Sequence, residues 1–171
     1  MSKIIIYSDG SCKDNQFSER ARGGYGALIT YGGRQKELLC GEIPSSNNRM
    51  ELNAIIQPLK LLKRQEEVDI YTDSKYVQKG MNEWRFNWIK RNWIKSDGEP
   101  VKNVELWKEL LALNEKHKIR FFWVKGHDDN PGNERADQLA NEGVLYAMKC
   151  QKEGTEPKII FRDAISIINL T

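Results

Sequence analysis

Four acids are the residues of this chain best placed to do chemistry. Two of them close an echo: Ile6-Tyr7-Ser8-Asp9 and Ile70-Tyr71-Thr72-Asp73 are nearly the same tetrapeptide, and each ends a β-rich run at an aspartate. Functional groups in α/β sheets gather where strands end, so two such runs lying parallel would present both carboxylates at one edge. Glu51, just after Asn47-Asn48-Arg49-Met50, and Asp137, four residues after Asn133, stand near the starts of helical patterns. An acid at a helix start can simply complement the macrodipole, and an aspartate after a strand can form an Asx turn. If the acids converge, two unit charges ~5 Å apart at an effective dielectric of ~20 repel by roughly 3 kcal/mol. Such a cluster raises some of its pKa values or binds cations. Hard oxygen ligands select Mg²⁺, with Mn²⁺ as a substitute, over Zn²⁺. Carboxylates holding two such ions form a clamp for in-line displacement at phosphorus.

A second constellation runs from Trp84 to Lys95 and holds Trp84, Trp88 and Trp93, three of the five tryptophans. Arg85, Lys90, Arg91 and Lys95 interleave with them, and no acid intervenes. Over residues 75–102 there are seven basic residues against three acids, a surplus of four in a chain whose net charge is +3. The remainder is therefore about −1, and the modest total conceals two opposed regions. Cations beside aromatic rings suit a nucleic-acid strand, since they neutralise phosphates while rings stack on bases. The same pattern also describes a helix whose tryptophans fill a core, and Trp84 and Trp88, four apart, can share one face. His127 sits in the loop Val124-Lys125-Gly126-His127, ten residues before Asp137, where it could move protons. His117, at a helix end, reads as structural. Asn47 and Asn48 could cap a helix, or their amides could read sugar hydroxyls; only RNA offers a 2′-OH.

The rest of the composition narrows the class. The chain has 171 residues, 39% hydrophobic and 30% charged, which suits one soluble globular domain. Cys12, Cys40 and Cys150 form no C-x-x-C pair, and there are two histidines, so neither a disulfide framework nor a structural zinc site is expected. The run Ile4-Ile5-Ile6 is too short for a signal peptide, and no stretch approaches the ~18 apolar residues of a membrane helix. A cytoplasmic protein with no membrane partner is the expectation.

The elements that must position these groups follow from periodicity and turn chemistry. Lys3 to Asp9 reads as a strand, residues 10–22 as irregular, and Gly23 to Tyr31 and Arg34 to Glu42 as a hairpin closed by Gly32-Gly33. Helical spacing of Leu52, Ile55, Ile56, Leu59 and Leu62 marks a helix over Arg49 to Arg64, which Pro58 should bend or split. Glu67 to Thr72 reads as a strand, Ser74 to Met81 as a short helix, Val104 to Lys116 as an amphipathic helix and Lys118 to Val124 as a strand. Asn133 is expected to cap a helix running to about Met148. The tail reads equally as a strand, a helix or a docked segment. The order predicts an α/β fold with a mixed five-stranded sheet, its first three strands antiparallel, flanked by helices.

At this level the chain resembles a known family. Asp9-Gly10-Ser11-Cys12, Gly23-Gly24-Tyr25-Gly26, Asn47-Asn48-Arg49-Met50-Glu51-Leu52, Thr72-Asp73-Ser74, Pro100-Val101-Lys102-Asn103-Val104-Glu105-Leu106-Trp107, Trp123-Val124-Lys125-Gly126-His127 and Asn133-Glu134-Arg135-Ala136-Asp137 are similar to the motifs of type 1, bacterial-type ribonuclease H. The resemblance covers residues 3–145 in unbroken order. It implies a ribonuclease H-like fold in a catalytic domain over residues 1–148, with residues 149–171 as an extension. It implies a monomeric endonuclease that cuts the RNA strand of an RNA–DNA hybrid, leaves 5′-phosphate and 3′-hydroxyl ends, and removes RNA primers and R-loops. Asp9, Glu51, Asp73 and Asp137 would be the catalytic metal ligands, with two ions bound beside the substrate. His127 would assist proton transfer or product release.

The same resemblance makes residues 82–103 a basic protrusion that grips substrate, with Arg85, Lys90 and Arg91 among its cations. Trp84 and Trp107 would line a channel for the DNA strand, and Ser46, Asn47 and Asn103 would hold a DNA phosphate. Cys12, Asn15 and Asn48 would contact the RNA side. Four features depart from the family pattern: a longer first loop over Gln16 to Arg22, Pro44 in place of an arginine, Lys75 in place of a glutamine that touches RNA, and Pro58 within its helix. The competing readings are a hybrid-binding protein without catalysis, a metal-dependent nuclease of the resolvase or integrase kind, and a phosphate-binding small-molecule enzyme. The intact acids argue against the first, the tryptophan-rich protrusion against the second, and the lack of a P-loop against the third.

Overall fold

A computed structural model describes residues 3–125 and 130–163. Six strands form one sheet: β1 (Ile4–Lys13), β2 (Arg22–Tyr31), β3 (Arg34–Glu42), β4 (Glu67–Thr72), β5 (Lys118–Trp123) and β6 (Ile160–Asp163). Their spatial order is β5-β4-β1-β2-β3-β6. β1, β2 and β3 pair antiparallel in sequence, while β4 joins β1, and β5 joins β4, in parallel. The helices are α1 (Asn47–Lys60), α2 (Lys75–Lys79), α3 (Arg85–Lys90), α4 (Val104–Lys116) and α5 (Pro131–Glu153). Ile4 and Ile6 alternate inward from β1 and meet Leu52, Ile55, Ile56 and Leu59 of α1 and Leu106, Trp107 and Leu110 of α4 in one buried core. By the same alternation Tyr7 and Asp9 share the other face of β1. On that side α5 lies very close to β2: a Cβ on Gly24 would stand 2.2 Å from the Ala140 carbonyl oxygen. Among the described residues no helix is long and apolar enough to cross a membrane.

Several elements differ from the sequence-based expectation. β1 continues past Asp9 to Lys13, because residues 10–13 keep pairing with β2 from Tyr25 to Arg22. The sheet has six strands, not five: the tail supplies β6, which lies antiparallel on β3 with Leu39 opposite Ile160 and Lys36 opposite Asp163. Its anchor is Arg162, which ion-pairs with Glu37 of β3 and Glu142 of α5. Pro58 does not split α1. It sits in the last turn, where the Leu61 N–H bonds to the Pro58 carbonyl and the Leu62 N–H to that of Leu59, tightening the end. Asn130, not Asn133, caps α5; its side chain accepts from the N–H groups of Gly132 and Asn133, and Pro131 occupies the first helical position. That helix passes Met148 and stops at Gly154, whose φ of 73° is left-handed. The short helix after Ser74 extends as α2, a π-turn over Gly80–Trp84 and α3, one continuous rod that runs on to Lys90.

Candidate active site

The echo in the sequence becomes a neighbour pair in space. β1 and β4 are parallel with Ile6 beside Ile70 and Tyr7 beside Tyr71, so Asp9 and Asp73 emerge together at the sheet edge. Glu51 reaches them from α1, and Gly10 is what allows the approach: a Cβ there would lie 2.5 Å from the Glu51 backbone nitrogen. One carboxylate oxygen from each of Asp9, Glu51 and Asp73 lies within 4.8 Å of the other two. Glu51 is 6% exposed, and its Oε2 is buried with no hydrogen-bond partner among the described residues. Asp9 accepts a 2.9 Å bond from the Gly10 N–H. Asp137, on α5, approaches Asp9 closely enough to add a hydrogen bond and its own charge.

The electrostatics follow from this crowding. Burial first, then the charge of Asp73 and the contact with Asp137, push the Asp9 carboxyl up to about 8, against which the Gly10 N–H is a weak counterweight. Burial and the charges of Asp9 and Asp73 likewise hold Glu51 well above the usual carboxylate range. An oxygen-only donor set that is crowded, mutually repulsive and includes a buried carboxylate oxygen fits a hard divalent cation. His127 lies outside the described residues.

Around this floor the expected substrate-binding residues fall into two groups. At the start of α1, Ser46 is the cap and its Oγ accepts from the Arg49 N–H at 3.2 Å. Asn15 reaches across from the long first loop, and its Oδ1 accepts from the Asn47 N–H at 3.0 Å. Cys12 is half-buried on β1, and Asn48 and Lys75 are exposed. The second group surrounds the rod. Trp84 is 37% exposed and stands 5.7 Å, centroid to centroid, from Trp88. Trp88 in turn meets Trp93 at 5.8 Å and Trp107 at 5.1 Å. Lys90 and Arg91 are exposed, while Arg85 is half-buried with its guanidinium over the Phe86 ring. Trp84, Trp88, Arg91 and Lys95 help line an open groove of about 380 Å³. The tryptophans thus serve packing and surface at once.

Trp107 does not line a channel: it is 0% exposed, because α4 turns it inward beneath the rod. Its indole Nε1 donates to the Tyr76 hydroxyl at 2.9 Å, and the Asn103 Nδ2 donates to the same oxygen at 3.3 Å. The sequence reading missed Tyr76, since no spacing reveals a hydroxyl shared across two helices. It also missed Arg49, which bonds Glu42 at 2.6 Å and Glu105 at 3.1 Å and so ties α1 to β3 and α4 two residues before Glu51.

The family model for RNase H matches residues 1–145. The chain is 54% identical over 144 residues to the ribonuclease H of Thiobacillus denitrificans, which covers 84% of this chain and 95% of that protein. It is 55% identical over 141 residues to the ribonuclease H of Methylobacillus flagellatus, covering 82% and 91%. Among solved structures, the crystal structure of LC9-RNase H1, a type 1 RNase H with the type 2 active-site motif, superposes with a TM-score of 0.79 at 27% identity, over 96% of this chain and 78% of its own. The carboxylate floor thus sits in a chain that belongs to the ribonuclease H family and is an enzyme of that class.

Proposed function

We propose that this enzyme hydrolyses the RNA strand of RNA–DNA hybrids at the carboxylate floor, with two divalent cations, Mg²⁺ or Mn²⁺, held by Asp9, Glu51, Asp73 and Asp137. The observation that carries the reading is the convergence of Asp9, Glu51 and Asp73 within 4.8 Å, with a buried carboxylate oxygen left unpartnered. When bound, the two ions supply an activated water and charge neutralisation at the leaving 3′-oxygen, so that products carry 5′-phosphate and 3′-hydroxyl ends. The chain's own residues do the rest. Asp9 and Asp73, fixed side by side by strand pairing, and Glu51, brought in against Gly10, hold the reacting phosphate's counter-charge in a set geometry. Asp137 completes the set from α5, and His127 moves a proton at the leaving oxygen.

Selection of the hybrid divides between the two sides of the floor. Cys12, Asn15 and Asn48 contact the RNA strand near its 2′-hydroxyls. Ser46, Asn47 and Asn103 grip a phosphate of the DNA strand, and Trp84, Arg85, Lys90 and Arg91 follow its backbone along the protrusion. Lys75, exposed beside Asp73, supplies a charge toward the RNA. In this reading the enzyme acts as a cytoplasmic monomer that removes RNA primers and R-loops.

The test is cleavage of end-labelled RNA–DNA, RNA–RNA and DNA–DNA duplexes by the purified chain with Mg²⁺ and with Mn²⁺. Cutting confined to the RNA of the hybrid, with 5′-phosphate products, is the expected result. Equal cutting of all three duplexes, or an uncut hybrid, overturns the proposal.

A further inference from the structure

Asn103 occupies the capping position of α4 with a left-handed φ of 59°, yet its side chain makes no capping bond. A capping side chain accepts through its oxygen from an extended backbone, so the left-handed Asn103 leaves its amide unused by its own helix. What fixes that amide is Tyr76. Its hydroxyl oxygen accepts from Asn103 Nδ2 at 3.3 Å and from Trp107 Nε1 at 2.9 Å, which occupies both lone pairs. The ring is wedged between Trp84, 6.0 Å away, and Trp107, 5.3 Å away, so the hydroxyl has little room to move.

The other end of Tyr76 is equally fixed. It lies three residues after Asp73 in a segment locked by short bonds. The Ser74 N–H donates to Thr72 Oγ1 at 3.2 Å, the Val77 N–H to Ser74 Oγ at 3.1 Å, and the Gln78 N–H to the Ser74 carbonyl at 3.0 Å. One rigid turn therefore connects the carboxylate floor to the Asn103 amide.

We infer that Tyr76 is a positioning residue: it holds the Asn103 amide at a set separation from Asp73, ready for a phosphate of the DNA strand. One N–H of the amide is taken by Tyr76, and the second is left for the phosphate. Without the hydroxyl, nothing sets the rotamer of the amide and the phosphate loses a fixed donor. The inference rests on the proposed role of Asn103 in gripping that phosphate.

Steady-state cleavage of a labelled RNA–DNA hybrid by the full chain, with Mg²⁺, tests it through Tyr76→Phe, Asn103→Ala and the double variant. Tyr76→Phe keeps the ring and its packing. It should raise KM about 5-fold, the equivalent of one lost hydrogen bond, with kcat within about 2-fold of the starting enzyme. Asn103→Ala should raise KM at least as much, and the double variant should be no worse than Asn103→Ala alone. An unchanged KM in Tyr76→Phe beside a raised KM in Asn103→Ala sinks the positioning role alone. So do effects that multiply in the double variant, and a loss confined to kcat. An unchanged KM in Asn103→Ala removes the phosphate-gripping reading, and the inference with it.

Discussion

Glu37, on β3, and Glu51, on α1, are 2% and 6% exposed, and the protein has paired only the first. Glu37 takes two guanidiniums: Arg135 of α5 bonds both its oxygens, and Arg162 of β6 reaches Oε1 at 3.0 Å. Burial alone would push its carboxyl up, but the two arginines outweigh burial and hold it below its ordinary value. Glu51 faces Asp9 and Asp73, and its carboxyl moves the other way. A buried carboxylate matched by cations on the chain is architecture; one matched only by more carboxylates calls for a cation from solution. The two glutamates thus separate what holds this fold from what it does.

The contrast breaks most sharply in activity. Asp9→Asn removes a charge and a ligand from the floor while keeping its shape. Turnover on the hybrid should fall about 10³-fold or more, a loss on the scale of removing preorganised charge stabilisation. Hybrid binding should persist, and above pH 8 the metal-free protein should melt no lower than before, because a repulsive charge has gone. A variant that loses binding in step with turnover would indicate a misfolded site instead. Glu37→Gln is the mirror experiment. It leaves two guanidiniums facing a neutral amide and should cost about 2–4 kcal/mol, the lower part of the range because both arginines are partly exposed. That is a fall in Tm of roughly 5–15 °C. At low temperature kcat should match the parent, and a large loss there would give Glu37 a role in the site.

Much of this contrast was readable before any coordinates. The repeated tetrapeptides ending at Asp9 and Asp73 carry their own parallel pairing, since two nearly identical strand ends side by side are the simplest use of such an echo. The expected cap of α5, Asn133, lies three residues late: Asn130 caps it, and Pro131 suits the first helical turn. Other features depend on partners remote in sequence. Ile160–Asp163 reads equally as strand, helix or docked segment until Arg162 meets Glu37, 125 residues earlier. Trp107 reads as helix-face or channel with equal ease, and the space beneath the rod decides for the core. The π-turn and the Tyr76 hydroxyl likewise exist only after α2 and α4 are packed.

Proton and metal linkage should separate the two glutamate environments in solution. Asp9, pushed up to about 8, has a folded value above the ~4 of an unfolded aspartate. Its contribution is complete below pH ~4 and disappears as pH rises through 8, so the metal-free floor weakens the fold toward alkaline pH. Glu37 is depressed, so its contribution holds above the ordinary glutamate value and is lost as pH falls through the folded one. Calorimetry in a chelator should therefore show the floor's penalty growing from pH 5 to 8 in the parent and growing less in Asp9→Asn. Mg²⁺ at about 100 times its Kd should return roughly 2.7 kcal/mol, or about 5–10 °C in Tm. A Tm indifferent to Mg²⁺, or equally responsive in Asp9→Asn, would remove the floor as a cation site.

Arg162→Ala probes the contrast at its weakest point. The side chain is 35% exposed, and Glu37 keeps Arg135, so the cost should be about 1 kcal/mol and 2–4 °C in Tm. Arg135→Ala should cost more, since that guanidinium bonds both carboxylate oxygens and leaves Glu37 to a single contact from the tail. The tail variant should also free β6 from β3, because Arg162 is its link to both Glu37 and Glu142. Amide exchange read along β3 distinguishes the cases: faster exchange where Lys36 to Leu39 pair with β6, with hybrid cleavage unchanged, makes the tail a brace. A drop in cleavage with the same exchange pattern would instead connect β6 through α5 to Asp137, and the boundary between architecture and catalysis would lie inside that helix.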